Sequence, residues 1–403
     1  MKAAETCILT VNAGSSSIRF AAYDPGAPPR PLFRGKIDRI GLVGTRLTAF
    51  DGAGKALGSV RFDAHDHDAA AGNFLRWLGK QPAAPDVIGI GHRVVHGMRH
   101  SSPERVTSRL LTELRGLIPF APDHLPAEIA LIKAFRHHFP SVPQVACFDT
   151  AFHRTLPALA RLLPIPRRYA RDGVERYGFH GLSFEFLLGE LRRLGDPAAL
   201  RGRVILAHLG NGASLAAVLN GRSVDTSMGF TPASGLVMST RTGDLDPGVL
   251  SYLGRQGGLT EARLATMVNH ESGLLGVSGT SPDMRDLLAR ASRDPRAAEA
   301  VGLFCYQAKK WIGSFAAVLG GVDTLVFAGG IGENAAPVRR QICAGLGFLG
   351  IRIDGARNSR GAKVISSRGS RVTVRVIRTD EESVIASSIV DVLRLRPGGR
   401  TTL

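Results

Sequence analysis

The sequence of 403 residues, with 44% hydrophobic and 21% charged residues, has the composition of an ordinary globular protein. Its formal net charge of +17 comes from scattered lysines and arginines, and no basic run alternates with aromatic residues, so nucleic-acid binding is not expected. No apolar stretch reaches the roughly 18 residues of a membrane-spanning helix and a signal-peptide pattern is lacking, which predicts a cytoplasmic protein without a membrane partner.

The chain is too long for one simple core, and its length predicts two domains, or three. The cysteines are widely spaced and lack a CxxC pair, which predicts buried free thiols at Cys7, Cys147, Cys305 and Cys343. The densest basic segments are predicted to be solvated helix or loop faces: Arg167-Arg168 with Arg171, and Arg339-Arg340. An anionic small substrate suits the positive charge better than a nucleic acid does.

The first predicted elements are two strands, TCILTVN and SIRFAAYD, on either side of the turn VNAGSSS at residues 11–17. The turn is not a P-loop, because the chain has no GxxxxGK[ST] motif. A tight glycine turn can still bind phosphate through its backbone N–H groups, and Asn12, Ser15 and Ser17 add donors. The same residue types favour an ordinary hairpin turn, which is the stronger interpretation of this stretch taken alone.

Further strands are predicted in RPLFRGKIDRIG and TRLTAFD, and a helix in DAAAGNFLRWLGK. The Val- and Ile-rich run DVIGIGHRVVH predicts a buried strand that leads into a loop. A helix from Pro126 to His137 and a buried strand in QVACFDT follow, and a first domain can end there.

A second round of the same pattern begins near residue 203. The stretch RVILAHLGNGASLAAVLNG again places a glycine-rich turn with a serine between two apolar strands. Two such units predict a duplicated domain with a cleft between the copies. Two donor-rich turns can hold one polyphosphate from opposite sides, which shifts the interpretation of VNAGSSS towards phosphate binding.

The last third of the sequence alternates helices and strands, which indicates α/β layering. The predicted order is a helix over Arg296 to Leu319, the strand DTLVFAGG, a helix from about Ala335, the strand VRVIRTD and a helix over Glu382 to Leu393.

Gly330, Gly332 and Ala335 fit the dinucleotide-binding pattern G-x-G-x-x-A, and Asp354 follows about twenty residues later. Glu333, however, would place a carboxylate where a pyrophosphate should meet the helix N-terminus. We therefore predict a glycine bend that packs against a nucleoside, and keep a nicotinamide dehydrogenase as a minor alternative.

Four further stretches combine charged residues with turn residues, and each has a structural explanation when taken alone. They are GHRVVHG with Arg93, FDTAFH with Asp149 and His153, RYGFHG with His180, and STRTGDLDPG with Arg241 and Asp246. Together they supply the arginines, histidine and aspartate of phosphoryl transfer, in which catalysis is mostly positioning and charge stabilisation. Neither a G-x-S-x-G elbow nor an HExxH zinc motif occurs in the sequence.

These stretches make the chain resemble the acetokinase family of the sugar kinase, actin and heat-shock chaperone superfamily. The resemblance runs from end to end and rests on motifs in the family's order: VNAGSSS, GHRVVHG, FDTAFH, RYGFHG, HLGNGAS with DTSMGFTP, TRTGDLDP, ESGLLGVSG, AGGIGEN and TDEE. It implies an α/β fold of two duplicated actin-like domains with a central cleft. Residues 1–152 with 383–403 would form the carboxylate and phosphate side, and residues 153–382 the nucleotide-binding domain, in a homodimer.

The resemblance also implies an activity: reversible, direct in-line transfer of the γ-phosphoryl group of ATP to acetate, which gives acetyl phosphate and ADP. Mg²⁺, or Mn²⁺ in its place, would be the cofactor, and propionate or another short-chain carboxylate is the alternative acceptor. A protein of the actin or chaperone type, which binds nucleotide without catalysis, shares the two-domain fold. The pair Arg93 and Arg241 with His180 argues against that class, since a nucleotide switch does not need them.

Residue roles follow from the same resemblance. Arg93 and Arg241 would clamp the carboxylate and the phosphoryl group, and His180 would bond the phosphoryl group with His124 and His208 as supporting donors. Asp149 and Glu381 or Glu382 would hold the metal with Asn12, which would also position the phosphate or the attacking group. The implied acyl pocket consists of Val95, Phe179 and Pro232. The implied nucleotide contacts are Ser15, Ser17, Arg19, His208, Gly210, Asn211, Gly212, Asp283, Met284, Arg285, Gly330, Ile331, Gly332 and Asn334.

Four stretches of the chain depart from the family pattern. Asp123 replaces an apolar residue expected in a pocket wall, and Arg19 replaces a lysine after the serines. Ala233-Ser234-Gly235 stands where Leu-Glu-Gly is usual, and Asp380 where asparagine is usual. Because the implied catalytic positions are retained, we expect the reaction type to be retained, while the preferred acyl chain stays open.

Overall fold

The computed structural model describes residues 6–14, 16–26, 28–81 and 86–395. The chain divides into two compact units. Unit 1 comprises Met1–Ala151 with Asp380–Leu403, and unit 2 comprises Phe152–Thr379.

Unit 1 is built on a mixed sheet of eight strands in the order β5-β4-β3-β2-β1-β6-β8-β7. Strands β1 to β5 form an antiparallel meander, and β1, β6 and β8 are parallel to one another. The strands are β1 (Thr6–Ala13), β2 (Ser17–Asp24), β3 (Arg30–Asp38), β4 (Thr45–Asp51), β5 (Ala56–Phe62), β6 (Asp86–Val94), β7 (Glu104–Arg105) and β8 (Gln144–Phe148).

Strand β5 was not predicted, because nearly all of its residues are exposed and its sequence lacks the alternation that marks a half-buried strand.

Unit 2 is built on a sheet of five strands in the order β11-β10-β9-β12-β13. Its strands are β9 (Arg203–Leu209), β10 (Ala213–Leu219), β11 (Arg222–Thr226), β12 (Thr324–Ala328) and β13 (Thr373–Val376). The order and directions match β3-β2-β1-β6-β8 of unit 1: three antiparallel strands, then two strands parallel to the first. The predicted α/β fold with a duplicated domain is therefore confirmed.

The helices are α1 (His67–Gly79), α2 (Ser108–Gly116), α3 (Leu125–His138), α4 (Ala158–Arg161), α5 (Arg167–Arg171), α6 (Gly181–Arg193), α7 (Ala198–Arg201), α8 (Pro247–Gln256), α9 (Glu261–Thr266), α10 (Gly273–Ser278), α11 (Met284–Arg290), α12 (Pro295–Leu319), α13 (Gly329–Asn334), α14 (Ala336–Cys343), α15 (Gly355–Ser359) and α16 (Glu381–Leu393). Short 3-10 turns lie at Ile118–Phe120, Ala151–Thr155 and Leu346–Leu349, and a π-helical turn at Met267–Glu271. Within the described ranges, no helix combines the length and hydrophobicity needed to cross a membrane.

The core of unit 1 lies between the sheet and helices on its two faces. Helix α1 begins at His67 and is capped by Asp66, whose side chain accepts a hydrogen bond from Ala69 N. Phe74 of this helix packs on Phe20 with ring centroids 4.3 Å apart. On α16, Ile385 lies so close to β6 that a Cβ at Gly91 would be 2.4 Å from its Cγ2. Glycine at that position lets the helix lie directly on the strand.

In unit 2 the sheet is likewise covered by helices. Helix α6 buries Phe184, Leu187 and Leu191 against β9 residues such as Leu206. Helix α12 contacts β9 and β10 and ends at Gly320, whose φ of 70° is the left-handed conformation common after helix C-termini.

All four cysteines are buried and free, as predicted, and Arg167, Arg168 and Arg171 are exposed on α5. Two predictions were wrong in detail. Residues Gly329–Asn334 form the short helix α13 instead of a bend. Arg339, predicted to be solvated, is only 1% exposed.

Candidate active-site clusters

The candidate site of unit 1 lies at the carboxyl edge of its parallel strands. Asn12 is near the end of β1, Arg93 near the end of β6, and Asp149 directly after β8. Because parallel strands end at the same edge of a sheet, three residues far apart in sequence are brought together. We call Asn12, Arg93, Glu128, Asp149 and Glu381 the unit 1 cluster.

Arg93 is the centre of the unit 1 cluster. Its Nη2 lies 2.6 Å from Asp149 Oδ2, its Nε donates to the same oxygen at 3.1 Å, and its Nη1 donates to the carbonyl of Ala13 at 3.1 Å. Burial works against the charge of the guanidinium, but Asp149 and Glu128 raise the pKa of Arg93, which stays protonated. A partly exposed guanidinium held in place by such partners is suited to binding a carboxylate or a phosphoryl group.

Glu128, on α3, is a member of the cluster that the sequence analysis missed. Its Oε1 lies 3.8 Å from Arg93 Nη1, and its Oε2 accepts a hydrogen bond from Val95 N at 3.0 Å. Burial raises the pKa of Glu128 to about 7. The available signal was a glutamate on the apolar face of a helix, between Leu125 and Ile132, where an unpaired charge would be costly.

The start of α16 adds acidic residues to the cluster. Asn12 Nδ2 donates to Glu381 Oε2 at 2.9 Å and lies 3.5 Å from Glu382 Oε1. Partial burial raises the pKa of Glu382, and the charge of Glu381 raises it further. The departure Asp380 has a local function, because its side chain caps α16 by accepting from Ser383 N at 3.0 Å.

Arg19 and the turn between β1 and β2 lie next to the unit 1 cluster. Arg19 on β2 is the register partner of Asn12, and its positive charge lowers the pKa of Glu382. The turn is closed by a hydrogen bond from Gly14 N to Ser17 O at 2.7 Å. Ser15 lies outside the described residues.

The oxygen ligands of the unit 1 cluster fit Mg²⁺. This cation is usually held by one or two carboxylates together with water and substrate phosphates. Asp149, Glu381 and the amide oxygen of Asn12 are oxygen donors of that type. Burial is the main cause of the raised pKa of Glu382, and the neighbouring charge of Glu381, which a cation would offset, adds to it. Over the described ranges, no group of three or more His, Cys, Asp or Glu side chains is arranged so that it could hold a metal ion.

The candidate site of unit 2 lies at the equivalent edge of the second sheet. Strand β9 ends at Leu209, followed by the turn Gly210, Asn211 and Gly212, and β12 ends at Ala328, in register with His208. A Cβ at Gly210 would lie 3.5 Å from His208 Nε2 and 4.0 Å from Gly330 N, so the turn and the start of α13 are adjacent. We call His180, His208, the turn and Arg241 the unit 2 cluster.

His180 and His208 form a stacked pair with ring centroids 4.3 Å apart. His180 precedes α6 in a left-handed conformation with φ of 59°, and its Nδ1 lies 2.8 Å from Ser214 Oγ. His208 Nδ1 lies 2.8 Å from Ser183 Oγ, which in turn contacts Thr379 Oγ1 at 2.8 Å. These hydroxyl contacts are not predicted from the sequence, although Ser214 belongs to the glycine-rich turn motif of the second repeat.

Arg241 and His180 converge on Gly212. A Cβ at Gly212 would lie 3.1 Å from His180 Nε2 and 3.6 Å from Arg241 Nη1. Arg241 Nη1 donates to the carbonyl of Pro232 at 3.0 Å. The absence of a side chain at position 212 therefore keeps open the space beside two side chains that suit a phosphoryl group.

The predicted acyl-pocket residues are divided between the units. Val95 is buried in unit 1, whereas Phe179 is buried and Pro232 half-buried in unit 2. The departures have local explanations: Ser234 Oγ accepts a hydrogen bond from Gly229 N at 2.8 Å, and Asp123 is exposed before α3, two residues ahead of its first residue. His124 directly precedes α3 and is half-buried.

The side chain of Glu333 reaches back along α13 and places its carboxylate at the N-terminus of the helix, as the sequence predicted. Its Oε1 accepts hydrogen bonds from Gly329 N at 3.0 Å and Thr379 N at 3.2 Å. The carboxylate thus takes the position that a dinucleotide pyrophosphate would need, which argues against the dehydrogenase alternative. Ile331 and Gly332 of α13 are buried, and Asn334 Nδ2 donates to Gly330 O at 2.9 Å.

Arg339 holds the other end of α13, which corrects its predicted solvation. Its Nη1 donates to the carbonyls of Gly332 and Glu333 at 2.8 and 2.9 Å, and its Nε donates to Asn358 Oδ1 at 2.8 Å. These carbonyls belong to the last turn of the helix, where a cation is favoured. The guanidinium is used to cap a helix, which a basic pair in a sequence does not reveal.

The last predicted nucleotide contacts lie at the start of α11. Asp283 caps this helix through a hydrogen bond from Arg285 N at 2.8 Å, and its carboxylate pairs with the Arg285 guanidinium, Nη2 to Oδ2, at 2.5 Å. Met284 is buried. Here the local contacts stabilise the helix start, and they leave the predicted nucleoside contact untested.

Arginine, histidine and carboxylate side chains at equivalent edges of two duplicated α/β sheets are characteristic of a phosphotransferase. The family model described as "Acetokinase family" matches residues 7–387, and the chain belongs to this family. It is therefore an ATP-dependent kinase of carboxylates.

Individual relatives agree with this assignment. An acetate kinase of Methylocella silvestris is 45% identical over 394 residues, which cover 94% of this chain and 96% of that protein. A propionate kinase of Citrobacter rodentium is 43% identical over 390 residues, which cover 95% and 96%. The crystal structure of Porphyromonas gingivalis acetate kinase matches with a TM-score of 0.86 and 36% identity, over 96% of this chain and all of that chain.

Proposed function

We propose that this enzyme reversibly transfers the γ-phosphoryl group of ATP to acetate, by direct in-line displacement, with Mg²⁺ as cofactor. The observation that carries the proposal is the equivalence of the two clusters. Each lies at the carboxyl edge of the parallel strands of one duplicated sheet, the edge at which open α/β sheets bind ligands.

The unit 1 cluster is assigned to the carboxylate acceptor and the metal. The planar guanidinium of Arg93 can bind a carboxylate through two parallel hydrogen bonds. Acetate is already ionised near neutral pH, so the reaction needs no general base. Asn12, Asp149 and Glu381 would hold Mg²⁺, which supplies charge neutralisation for the phosphate oxygens.

The unit 2 cluster is assigned to the nucleotide and the transferring group. His180 and Arg241 would donate to the equatorial oxygens, where charge develops in the transition state. The turn His208, Gly210, Asn211 and Gly212 would contact the phosphates. Residues of α13 and the start of α11 would contact the nucleoside.

The reaction is tested by acyl hydroxamate formation from ATP, Mg²⁺ and a carboxylate. We expect product with acetate, and a kcat/KM series over acetate, propionate and butyrate ranks the acceptors. Absence of product with all three would refute the proposal. Propionate is the second candidate acceptor, since a propionate kinase is among the relatives at 43% identity and a single methylene changes selectivity by only about 1 to 3 kcal/mol.

The roles of His180 and Arg241 are tested by substitution. We expect His180→Ala and Arg241→Ala each to lower kcat about a hundredfold or more, as the loss of a transition-state donor does. Arg255→Ala on the exposed surface of α8 is the matched control and should keep wild-type turnover. A folded His180→Ala or Arg241→Ala variant with wild-type kcat would remove that residue from the mechanism.

A further inference from the structure

An open groove between α2 and α3, on the surface of unit 1, has a volume of about 370 Å³. Four basic side chains line it: Arg115 from α2, and Lys133, Arg136 and His137 from α3. Its remaining lining consists of two residues with hydroxyl groups, Ser108 and Thr112, and of Leu111.

The basic side chains of the groove are not neutralised by the protein. No acidic residue lines the groove, and over the described ranges none of the four forms a side-chain hydrogen bond or an ion pair. On the outside of the same helix α2, by contrast, Arg109 is paired with Glu113 at 2.8 Å. A concave surface with charge of one sign concentrates ions of the other sign.

The fold itself does not require these residues. Lys133, Arg136 and His137 follow the spacing i, i+3, i+4, which places positive groups on one face of α3, where like charges are mildly destabilising. The helix macrodipole favours the basic residues in the last turn but not Lys133, which lies before it. The opposite face of α3, with Ile129, Ile132 and Phe135, supplies the packing.

We propose that the groove binds a small anion that bears two or more phosphate charges. Two guanidinium groups can each form paired hydrogen bonds with a phosphate, Lys133 adds a point charge, and His137 adds a ring N–H donor. The volume lies at the lower end of the range for ligand sites, which suits a small metabolite. A monovalent carboxylate would leave most of the positive charge uncompensated.

The groove is distinct from the unit 1 cluster. Helix α3 presents Glu128 to Arg93 and Val95, while the basic residues lie on its exposed face. The helix also runs towards the start of β8, so Arg136 and His137 lie nearer the amino ends of the parallel strands than Glu128 does. The two sets of side chains therefore serve different ligands.

The test is isothermal titration calorimetry of the full chain with inorganic pyrophosphate, in metal-free buffer of low ionic strength. We expect the pair Lys133→Glu and Arg136→Glu to weaken pyrophosphate binding by about tenfold or more, because attraction becomes repulsion. The pair Lys55→Glu and Arg61→Glu, both exposed in unit 1 and outside the groove, makes the same charge change and should retain binding within about threefold.

The variant Arg241→Ala distinguishes pyrophosphate binding in the groove from pyrophosphate binding at the unit 2 cluster. It should keep pyrophosphate binding in the groove. The neutral pair Lys133→Gln and Arg136→Gln replaces the glutamate pair if the latter does not fold. Three results would each overturn the proposal. They are an equal loss of pyrophosphate affinity in the groove pair and the control pair, loss of pyrophosphate binding only in Arg241→Ala, and no pyrophosphate binding to the wild type.

Discussion

His153 shows how burial sets the state of a single side chain. Its Nε2 lies 3.2 Å from the carbonyl of Phe179, which only accepts hydrogen bonds, and its Nδ1 lies 2.9 Å from Ser223 Oγ. The neutral ring therefore carries its proton on Nε2 and accepts at Nδ1 from the serine. Burial lowers the pKa of His153 to about 4, and the nearby charge of Arg176 acts in the same direction.

A pH dependence follows from this shift. The unfolded state binds the proton near pH 6.5 and the folded state only near pH 4, so the contribution of His153 to stability is present above pH 6.5 and lost as the pH falls towards 4. The full loss is about 3 kcal/mol. Between pH 6.5 and pH 4, we expect the free energy of unfolding in urea to fall less for His153→Gln than for the wild type.

The control for His153 is His138→Gln, a change at an exposed histidine, which should follow the wild type. His92, whose pKa burial also lowers to about 4, keeps part of the acid sensitivity in every variant. If the free energy of unfolding depended on pH equally in the wild type and His153→Gln, the lowered pKa of His153 would be contradicted.

At the scale of elements, the junction between β12 and α13 depends on one glycine. Gly329 has φ of 75°, and a Cβ there would lie 2.7 Å from the carbonyl oxygen of Leu209 in the neighbouring strand. Gly330, the next residue, has no atom within 4 Å of an added Cβ and no positive φ. Adjacent glycines in one motif thus have different structural roles.

We expect Gly329→Ala to destabilise the protein by about 2 kcal/mol or more, through the strained backbone and the close contact. Gly330→Ala, in a helix, should be neutral or slightly stabilising. Urea unfolding curves of the two variants decide this, and equal midpoints would show that the junction tolerates a side chain.

At the scale of the whole molecule, two units repeat one strand order, and each has its cluster at the same edge. In both, the β-strand order brings together residues from distant parts of the chain, Asn12 with Glu381 in unit 1 and Ser183 with Thr379 in unit 2. Duplication explains why one chain contains two similar sheet edges with polar clusters, which the proposed function assigns to different substrates.

The family resemblance leads us to propose a homodimer. Light scattering coupled to size-exclusion chromatography should give about twice the chain mass of 42.9 kDa over a dilution series. The buffer should contain moderate salt, because a net charge of +17 promotes adsorption to anionic matrices. A mass of one chain at every concentration would refute the dimer.

The sequence by itself determined the features that depend on neighbouring residues. The 3.6-residue period placed α3 and α12 within one residue of their ends, and the glycine and serine turns marked both copies of the repeat. Its motifs also predicted Asn12, Arg93 and Asp149 as site residues, with Glu381 or Glu382 added through the family resemblance, and they placed the Glu333 carboxylate at a helix N-terminus. These are consequences of chain order and local chemistry, supported by motifs of a known family.

Only the tertiary structure decided which charged side chains are buried and which groups they contact. Arg339 and Arg340 look alike in the sequence, yet only Arg339 is enclosed, by carbonyls of α13 and by Asn358. Glu128 joins Arg93 because α3 packs beside β6, and the basic groove exists because α2 packs beside α3. Whether a charged side chain is buried, and which groups it contacts, depends on segments that are distant in sequence. The interaction free energies of these side chains are therefore properties of the folded chain.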